Sequence, residues 1–294
     1  MSLALRLLNH WLRWTEKPFL ARVQEPDELR RGFERKARLF FHKPRGTRVA
    51  QEIWADRPAL RVSAGGDGPL VLYFHGGAYL FGSPRTHAAM IARLCSYTGG
   101  QAVLPWYPLA PEHPFPAALD HALAAYSAVT AAHGPVVIGG DSAGGGLALA
   151  LLARLGQTDL PQPLGCFAFS PLTDLAFSGD SVAQNAQAEV ILPSGRAREA
   201  ARMYLGDTDP LHPEASPLYA DYAGAPPVWL AVGDTEILLD DTRRMVQRLE
   251  QQGVQVTHRV YRDHPHVWPI FQNLLPEARQ TLRDLAQWIK ETVG

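Results

Sequence analysis

Short apolar runs alternate along this chain with segments of helical period. Five runs predict buried strands, at residues 70–74, 102–105, 136–139, 165–169 and 228–232. Residues 51–63 predict two earlier strands, and the alternating residues 256–261 predict a last one. Helices are expected in the gaps, among them residues 117–132, 194–205, 240–252 and 276–292. This rhythm predicts a mainly parallel sheet with helices on both faces, which is an α/β fold.

The N-terminal segment predicts two helices ahead of the sheet. In the first, an apolar stripe is expected from Leu3, Leu7, Leu8, Trp11, Leu12 and Trp14. The second covers residues 27–41, with apolar side chains on one side and arginines on the other. Charges interrupt the first apolar run and no small-residue cleavage site follows, which argues against a signal peptide. No stretch is long enough to span a bilayer, although an interfacial helix stays open as an alternative.

Composition fits one soluble domain. The chain has 294 residues, of which 46% are hydrophobic, enough for a full core. Its net charge of −1 gives no overall basic field for nucleic acid or anionic lipid. The two cysteines, Cys95 and Cys166, are too few for a disulfide framework and are expected to be buried thiols. We therefore expect a cytoplasmic protein without a nucleic-acid partner.

The segment Gly140–Gly144 predicts a nucleophilic serine. It reads Gly-Asp-Ser-Ala-Gly, follows the apolar residues 136–138 and leads into the helix-forming residues 147–152. A strand, a tight turn and a helix in this order hold Ser142 in a strained conformation that exposes its hydroxyl, provided that its neighbours are small. The alternative is an ordinary helix start capped by Asp141 or Ser142. Partners elsewhere in the chain decide between the two.

A candidate oxyanion site follows the strand at residues 70–74. The sequence His75-Gly76-Gly77-Ala78-Tyr79 lets the backbone turn and point successive N–H groups at one place. In a catalytic interpretation the N–H groups of Gly76, Gly77 and Ala143 converge on one oxygen. A plain Gly-Gly turn or an anion-binding nest is the alternative.

A base and an acid are expected after the later strands, in the order Ser, Asp or Glu, His. His264 and His266 both lie in the loop after residues 256–261, and their positions alone do not separate them. The loop after residues 228–232 holds four carboxylates, of which two suit the first turn of the next helix. Asp234 and Glu236 remain as candidates for the buried acid.

These blocks resemble the hormone-sensitive-lipase-like bacterial esterases, bacterial family IV of the α/β-hydrolase fold. The resemblance covers nearly everything after residue 45 and includes further blocks in the same order. They are residues 107–117, Ser216-Pro217-Leu218, Pro226-Pro227 and His266-Val267-Trp268. Two departures are Ala78, where the family usually has a third glycine, and Pro108, where it commonly has arginine.

The resemblance implies a serine carboxylesterase acting on short- to medium-chain esters. Its register places Glu236 at the usual catalytic aspartate and His266 at the base, with Asp234 as the second choice for the acid. Ser142 then forms an acyl-enzyme, with His266 as base and Glu236 orienting it. Amidase, formamidase or lactone hydrolysis by the same triad stays open, as does a non-catalytic small-molecule receptor on this fold.

The resemblance also implies a domain organisation. Residues 1–46 are expected to be N-terminal cap helices, residues 178–222 a cap insertion, and residues 47–177 and 223–294 the catalytic core. No cofactor is implied, and no Cys/His spacing suggests a metal site. The partner is a small-molecule ester, and a homodimer is one oligomeric state that stays open. Asp141 is expected to hold nearby backbone or the loop with His113, and His87 to be ordinary.

Overall fold

One eight-stranded sheet organises the computed structural model, which describes residues 2–293. Its strands are Arg48–Trp54 (β1), Arg57–Ser63 (β2), Leu70–Phe74 (β3), Gln101–Pro105 (β4), Val137–Asp141 (β5), Gly165–Phe169 (β6), Val228–Gly233 (β7) and Val256–Tyr261 (β8). The strand order is β1-β2-β4-β3-β5-β6-β7-β8. Strand β2 runs antiparallel to β1 and to β4, and the other five neighbouring pairs, from β4-β3 to β7-β8, are parallel. The predicted mainly parallel sheet is confirmed.

Helices cover both faces of this sheet. They are Leu3–Arg22 (α1), Pro26–Phe40 (α2), Pro84–Thr98 (α3), Ala117–His133 (α4), Ala143–Leu155 (α5), Ser181–Gln184 (α6), Ser194–Leu205 (α7), Leu239–Gln251 (α8) and Pro276–Val293 (α9). One apolar cluster joins α4, α5 and α8 to the sheet, and a second joins α1, α3 and α9 to the other face. Strands β5, β6 and β7 are buried along their whole length, as their unbroken apolar runs predict.

The order of the strands determines where a site can form. From β3 the chain crosses to β4 on one side and then returns to β5 on the other side of β3. In open parallel sheets a crevice forms outside the carboxyl ends of the strands at such a reversal, and ligands bind there. The loop after β3 and the turn after β5 carry the predicted oxyanion and nucleophile residues. Sheet topology therefore brings these two segments together.

Helix α1 differs from its prediction in length and in orientation. It extends from Leu3 to Arg22 instead of ending near residue 14, and its register continues through Pro18. The side chains that it buries are Leu5, Leu8 and Leu12. The six residues of the expected stripe therefore lie on two sides of the helix: Leu8 and Leu12 are buried, whereas Leu3, Leu7, Trp11 and Trp14 are exposed. A helix with apolar residues on more than one side does not reveal from sequence which side packs.

Both cysteines are buried and unpaired, as predicted. Cys95 lies on α3 and Cys166 on β6. Burial raises the pKa of the Cys95 thiol to about 12 and raises that of Cys166 further. Of the helices within residues 2–293, none has the length and hydrophobicity needed to cross a bilayer.

Candidate active site

Ser142 lies at a strained turn between β5 and α5. Its backbone angles are φ 52° and ψ −123°, a conformation that a residue with a side chain rarely adopts. The turn needs small neighbours, because a Cβ at Gly144 would lie 2.1 Å from the Phe74 carbonyl oxygen. A Cβ at Gly140 would similarly lie 2.2 Å from the Gly144 oxygen. The local sequence thus fixes the serine above the carboxyl end of β5.

The structure brings Ser142, His266 and Glu236 into one hydrogen-bonded chain. The Ser142 hydroxyl lies 2.9 Å from His266 Nε2, and His266 Nδ1 lies 2.6 Å from Glu236 Oε2. All three residues are buried. With Nδ1 donating to the carboxylate, Nε2 is the acceptor for the serine proton, which is the tautomer that a general base requires.

His264 and Asp234, the other two candidates, lie outside this chain of bonds. His264 Nδ1 donates to the Arg262 carbonyl oxygen at 2.8 Å. Asp234 Oδ1 accepts from the Asp263 backbone N–H at 2.7 Å, so this carboxylate fixes the loop that carries the histidines. The two helix-start carboxylates, Asp240 and Asp241, do lie in the first turn of α8.

Glu236 is held by two donors that leave its second oxygen for the imidazole. Its Oε1 accepts from the Ser170 hydroxyl at 2.8 Å and from the Gly233 N–H at 2.6 Å. The Ser170 oxygen in turn accepts from the Val267 N–H at 3.2 Å, next to His266. Ser170 is absent from the sequence predictions. Its signal was its position directly after β6, at the same sheet edge as the nucleophile.

Residues 181–192 support the loop between β7 and α8, which carries Glu236, from outside the sheet. The Asn185 side-chain amide donates to the carbonyl oxygens of Asp234 and Glu236, at 3.0 and 2.8 Å. The buried Glu189 carboxylate accepts from the Ile237 N–H at 3.3 Å. Lys17 Nζ, on α1, donates to the Glu189 carbonyl oxygen at 2.8 Å. This part of the predicted cap insertion is therefore tied to the site, and the cap boundaries themselves stay a prediction.

Asp141 and its neighbours fix the loop after β3. Its Oδ1 accepts from the Tyr73 hydroxyl at 2.6 Å and from the Gly76 N–H at 2.9 Å, and His87 Nε2 lies 3.3 Å from Oδ2. Burial raises the pKa of this carboxyl, but His87 and Tyr73 outweigh it and the pKa ends below its ordinary value. Asp141 does hold nearby backbone, but it bonds His87 instead of the loop with His113. His87, for which the sequence predicts no special role, therefore helps to hold Asp141 in place.

One predicted oxyanion donor is wrong. The Gly76 N–H is already bound to Asp141, so it cannot also point at a substrate oxygen. Gly77 and Ala78 follow in left-handed conformations, with φ 125° and 54°. Within residues 2–293 the N–H groups of Gly77, Ala78 and Ala143 have no hydrogen-bond partner. Ala78 thus replaces Gly76 as a candidate donor, because the Asp141 carboxylate at the end of β5 accepts from the Gly76 N–H.

Burial and charge act in opposite directions on His266. Burial lowers its pKa, while the hydrogen bond and charge of Glu236, with the charges of Glu189 and Asp141, raise it. The carboxylates prevail, and the pKa of His266 lies above its ordinary value of 6.5. The imidazolium that forms when it takes a proton is correspondingly stabilised.

A largely apolar cavity of about 530 Å³ opens over Ser142. Helices α1, α2 and α7, with the loop after His266, supply most of its wall. Tyr79, Leu172 and Ala200 are among the residues that line it. Among residues 2–293, no group of three or more His, Cys, Asp or Glu side chains is arranged to hold a metal ion. A cavity with this lining suits an apolar chain attached to a reacting carbonyl.

Comparison with known sequences gives the following similarities. A family model for the alpha/beta hydrolase fold matches residues 71–270. An acetyl-hydrolase of Streptomyces hygroscopicus is 37% identical over 231 residues, which are 78% of this chain and 77% of that protein. An esterase of Acinetobacter venetianus is 35% identical over 275 residues, which are 90% of this chain and 88% of that protein.

Comparison with solved structures extends the similarity over the whole chain. An esterase from the bacterial hormone-sensitive lipase (HSL) family superposes with a TM-score of 0.94 at 33% identity, covering 100% of this chain and 99% of that one. The esterase EstE5, in crystals soaked with p-nitrophenyl butyrate, superposes with a TM-score of 0.94 at 34% identity, covering 99% of both chains.

Proposed function

This chain belongs to the hormone-sensitive-lipase-like esterases of the alpha/beta hydrolase family and is a carboxylic ester hydrolase, and we propose that it cleaves short- to medium-chain esters through an acyl-enzyme on Ser142. The observation that carries the proposal is the hydrogen-bonded chain from Ser142 through His266 to Glu236. A non-catalytic receptor has no need of a base bonded to a strained serine.

In the proposed first step, His266 Nε2 takes the proton of Ser142 as Oγ bonds to the ester carbonyl carbon. Glu236 stabilises the imidazolium, which then gives this proton to the departing alcohol oxygen as the carbon–oxygen bond breaks. In the second step His266 takes a proton from water, whose oxygen attacks the acyl carbon. That proton returns to Ser142 as the carboxylic acid leaves.

The oxyanion formed in both steps is bound, in this proposal, by the N–H groups of Gly77, Ala78 and Ala143. Two features support the choice: no residue from 2 to 293 accepts a hydrogen bond from these groups, and they flank the serine from the β3 loop and from the start of α5. Backbone donors fixed in advance are effective because they need no reorganisation as charge develops, and losing one typically costs about 3 kcal/mol of transition-state stabilisation.

We expect kcat/KM to rise with acyl length and then fall. Each methylene buried in the apolar cavity contributes about 0.8 kcal/mol, or roughly a fourfold gain, until the chain fills the space. A series of p-nitrophenyl esters from acetate to dodecanoate measures this, with an optimum expected at about four to eight carbons. A matched p-nitroanilide series separates esterase from amidase action, and a faster anilide would contradict the proposal.

A variant on α7 checks that the cavity sets this limit. Ala200→Leu narrows the cavity and is expected to shift the optimum to shorter acyl chains while acetate is still cleaved. Arg202→Leu, at an exposed position of the same helix, is the control and should leave the profile unchanged. An unchanged profile in both variants would place the acyl chain elsewhere.

The rate should fall on the acid side of a raised pKa. His266 must be neutral to accept a proton, and its pKa lies above 6.5. We therefore expect kcat/KM to decline as pH drops, with the half-maximal point of the acid limb above pH 6.5. Measurement of kcat/KM from about pH 4 to pH 9 checks this, and a rate constant unchanged down to about pH 4 would refute His266 as the base.

A further inference from the structure

Helix α1 presents an apolar stripe to the outside of the molecule. Leu3, Leu7, Trp11 and Trp14 are spaced four, four and three residues apart, so they share one side of the helix. Their exposed fractions are 69%, 62%, 40% and 69%. This side is distinct from the one that packs on the core. Four large apolar side chains in a row are more than the scattered exposed hydrophobic residues of an ordinary surface.

The stripe is continuous with the mouth of the cavity over Ser142. The ring centroids of Trp11 and Phe40 lie 5.6 Å apart, in an edge-on contact between α1 and α2. Leu7, Trp11, Phe40 and Leu274 line the cavity and are at the same time exposed. The opening of the cavity is thus surrounded by apolar side chains that face outward. Together with the rest of the stripe they form one surface, here called the apolar rim: Leu3, Leu7, Trp11, Trp14, Phe40 and Leu274.

Charge is strongly segregated along the chain, which its near-zero total conceals. Residues 1–50 hold 12 of the 28 arginines and lysines but only five of the 29 acidic residues, so this part carries +7 and the remainder −8. Arg6, on α1, and Arg31, Arg35 and Arg38, on α2, are exposed. None of these four forms an ion pair with another described residue. The helices that carry the apolar rim therefore also carry free positive charge.

We propose that this rim is a docking surface for an anionic lipid bilayer, with α1 lying in the interface and the cavity opening toward the lipid. Tryptophan and leucine on one side of a helix, with arginine beside them, are the combination that inserts shallowly among headgroups. Anionic headgroups complement the charge of residues 1–50. A symmetric pairing of two copies through the same rim would instead bring two positive segments together.

The test is co-sedimentation of the full chain with vesicles at low salt. Vesicles of phosphatidylglycerol and phosphatidylcholine are expected to pellet at least about fivefold more protein than phosphatidylcholine alone, with the difference lost near 0.5 M salt. The double variant Leu3→Ser with Trp14→Ser should lose most of this binding. Neither residue lines the cavity, so hydrolysis of p-nitrophenyl acetate should stay at the wild-type rate.

A matched control and two contrary results keep the proposal falsifiable. Ile53→Ser, on β1 and 66% exposed, should bind vesicles like the wild type. The proposal fails if the wild type stays in the supernatant with both vesicles, or if the double variant binds undiminished. Equal binding to both vesicles refutes the anionic preference. A variant that changes elution on size exclusion, without any vesicle binding by the wild type, assigns the rim to a second copy instead.

Discussion

Replacing Ser142 with alanine is expected to lower kcat for p-nitrophenyl butyrate by about 10⁵-fold or more, since no other nucleophile can form the acyl-enzyme. The hydroxyl lies 2.9 Å from His266 Nε2, and its removal leaves only water to attack the carbonyl. Some catalysis over the uncatalysed rate should persist from the oxyanion donors and from substrate binding. Steady-state rates and a single-turnover measurement of alcohol release check the expectation.

The fold should tolerate this change, so the loss can be assigned to chemistry. Alanine fits the space of serine, and the Ser142 side chain does not cap α5. Thermal unfolding of the variant should therefore resemble that of the wild type. Ser127→Ala, on α4, is the matched control and should keep full activity. A Ser142→Ala protein that is folded and retains more than a few per cent of the wild-type rate would disprove the acyl-enzyme.

Replacing Glu236 with glutamine is expected to lower kcat by about 10³- to 10⁴-fold while Asp234→Asn has a small effect. A glutamine side chain can still accept from Ser170 and Gly233 through its oxygen. Its amide then faces His266 Nδ1 as a donor, which favours the tautomer that protonates Nε2 and removes the acceptor for the serine proton. The kcat values of the two variants, measured side by side, test this.

The pH profile separates loss of the acid from general damage to the loop. Glu236 makes the largest of the contributions that raise the pKa of His266. Without its charge, burial dominates and the acid limb of the residual activity should move to lower pH. Asp234→Asn should leave the limb in place, because Asp234 bonds the Asp263 backbone instead of an imidazole. If Asp234→Asn proves the more damaging change, the assignment of the acid is wrong.

The local sequence predicts the bounds of a strand or helix correctly where its pattern of apolar and turn residues is compatible with one structure only. Strands β3, β6 and β8 and helix α7 have the predicted bounds, since an apolar run between turn residues or a clear helical period allows little else. The glycines around Ser142 likewise point to a tight turn wherever they occur. The catalytic acid and base could be chosen only by alignment with the family. Two histidines lie close together in one loop and four carboxylates in another, and the local sequence does not separate them.

The supporting contacts could not be read from the sequence because they depend on segments distant along the chain. Ser170 is 66 residues from Glu236, and Asn185 reaches the same loop from outside the sheet. The Gly76 N–H was assigned to substrate because nothing local shows that Asp141, 65 residues away, takes it. Helix α1 is limited in the same way. Its helical period can be recognised in the sequence, but the sequence does not show which side of the helix packs against the rest of the protein.

The two inaccessible thiols make this protein convenient for spectroscopy. Cys95 and Cys166 are at most 1% exposed, and their raised pKa values keep the thiols protonated at neutral pH. Maleimide reagents should therefore not react with them in the native protein. A single cysteine substituted for Thr15, which is exposed on α1 beside the apolar stripe, would then be the labelled position. A polarity-sensitive fluorophore attached there can report how deeply α1 lies in a bilayer, and the two native cysteines do not have to be replaced.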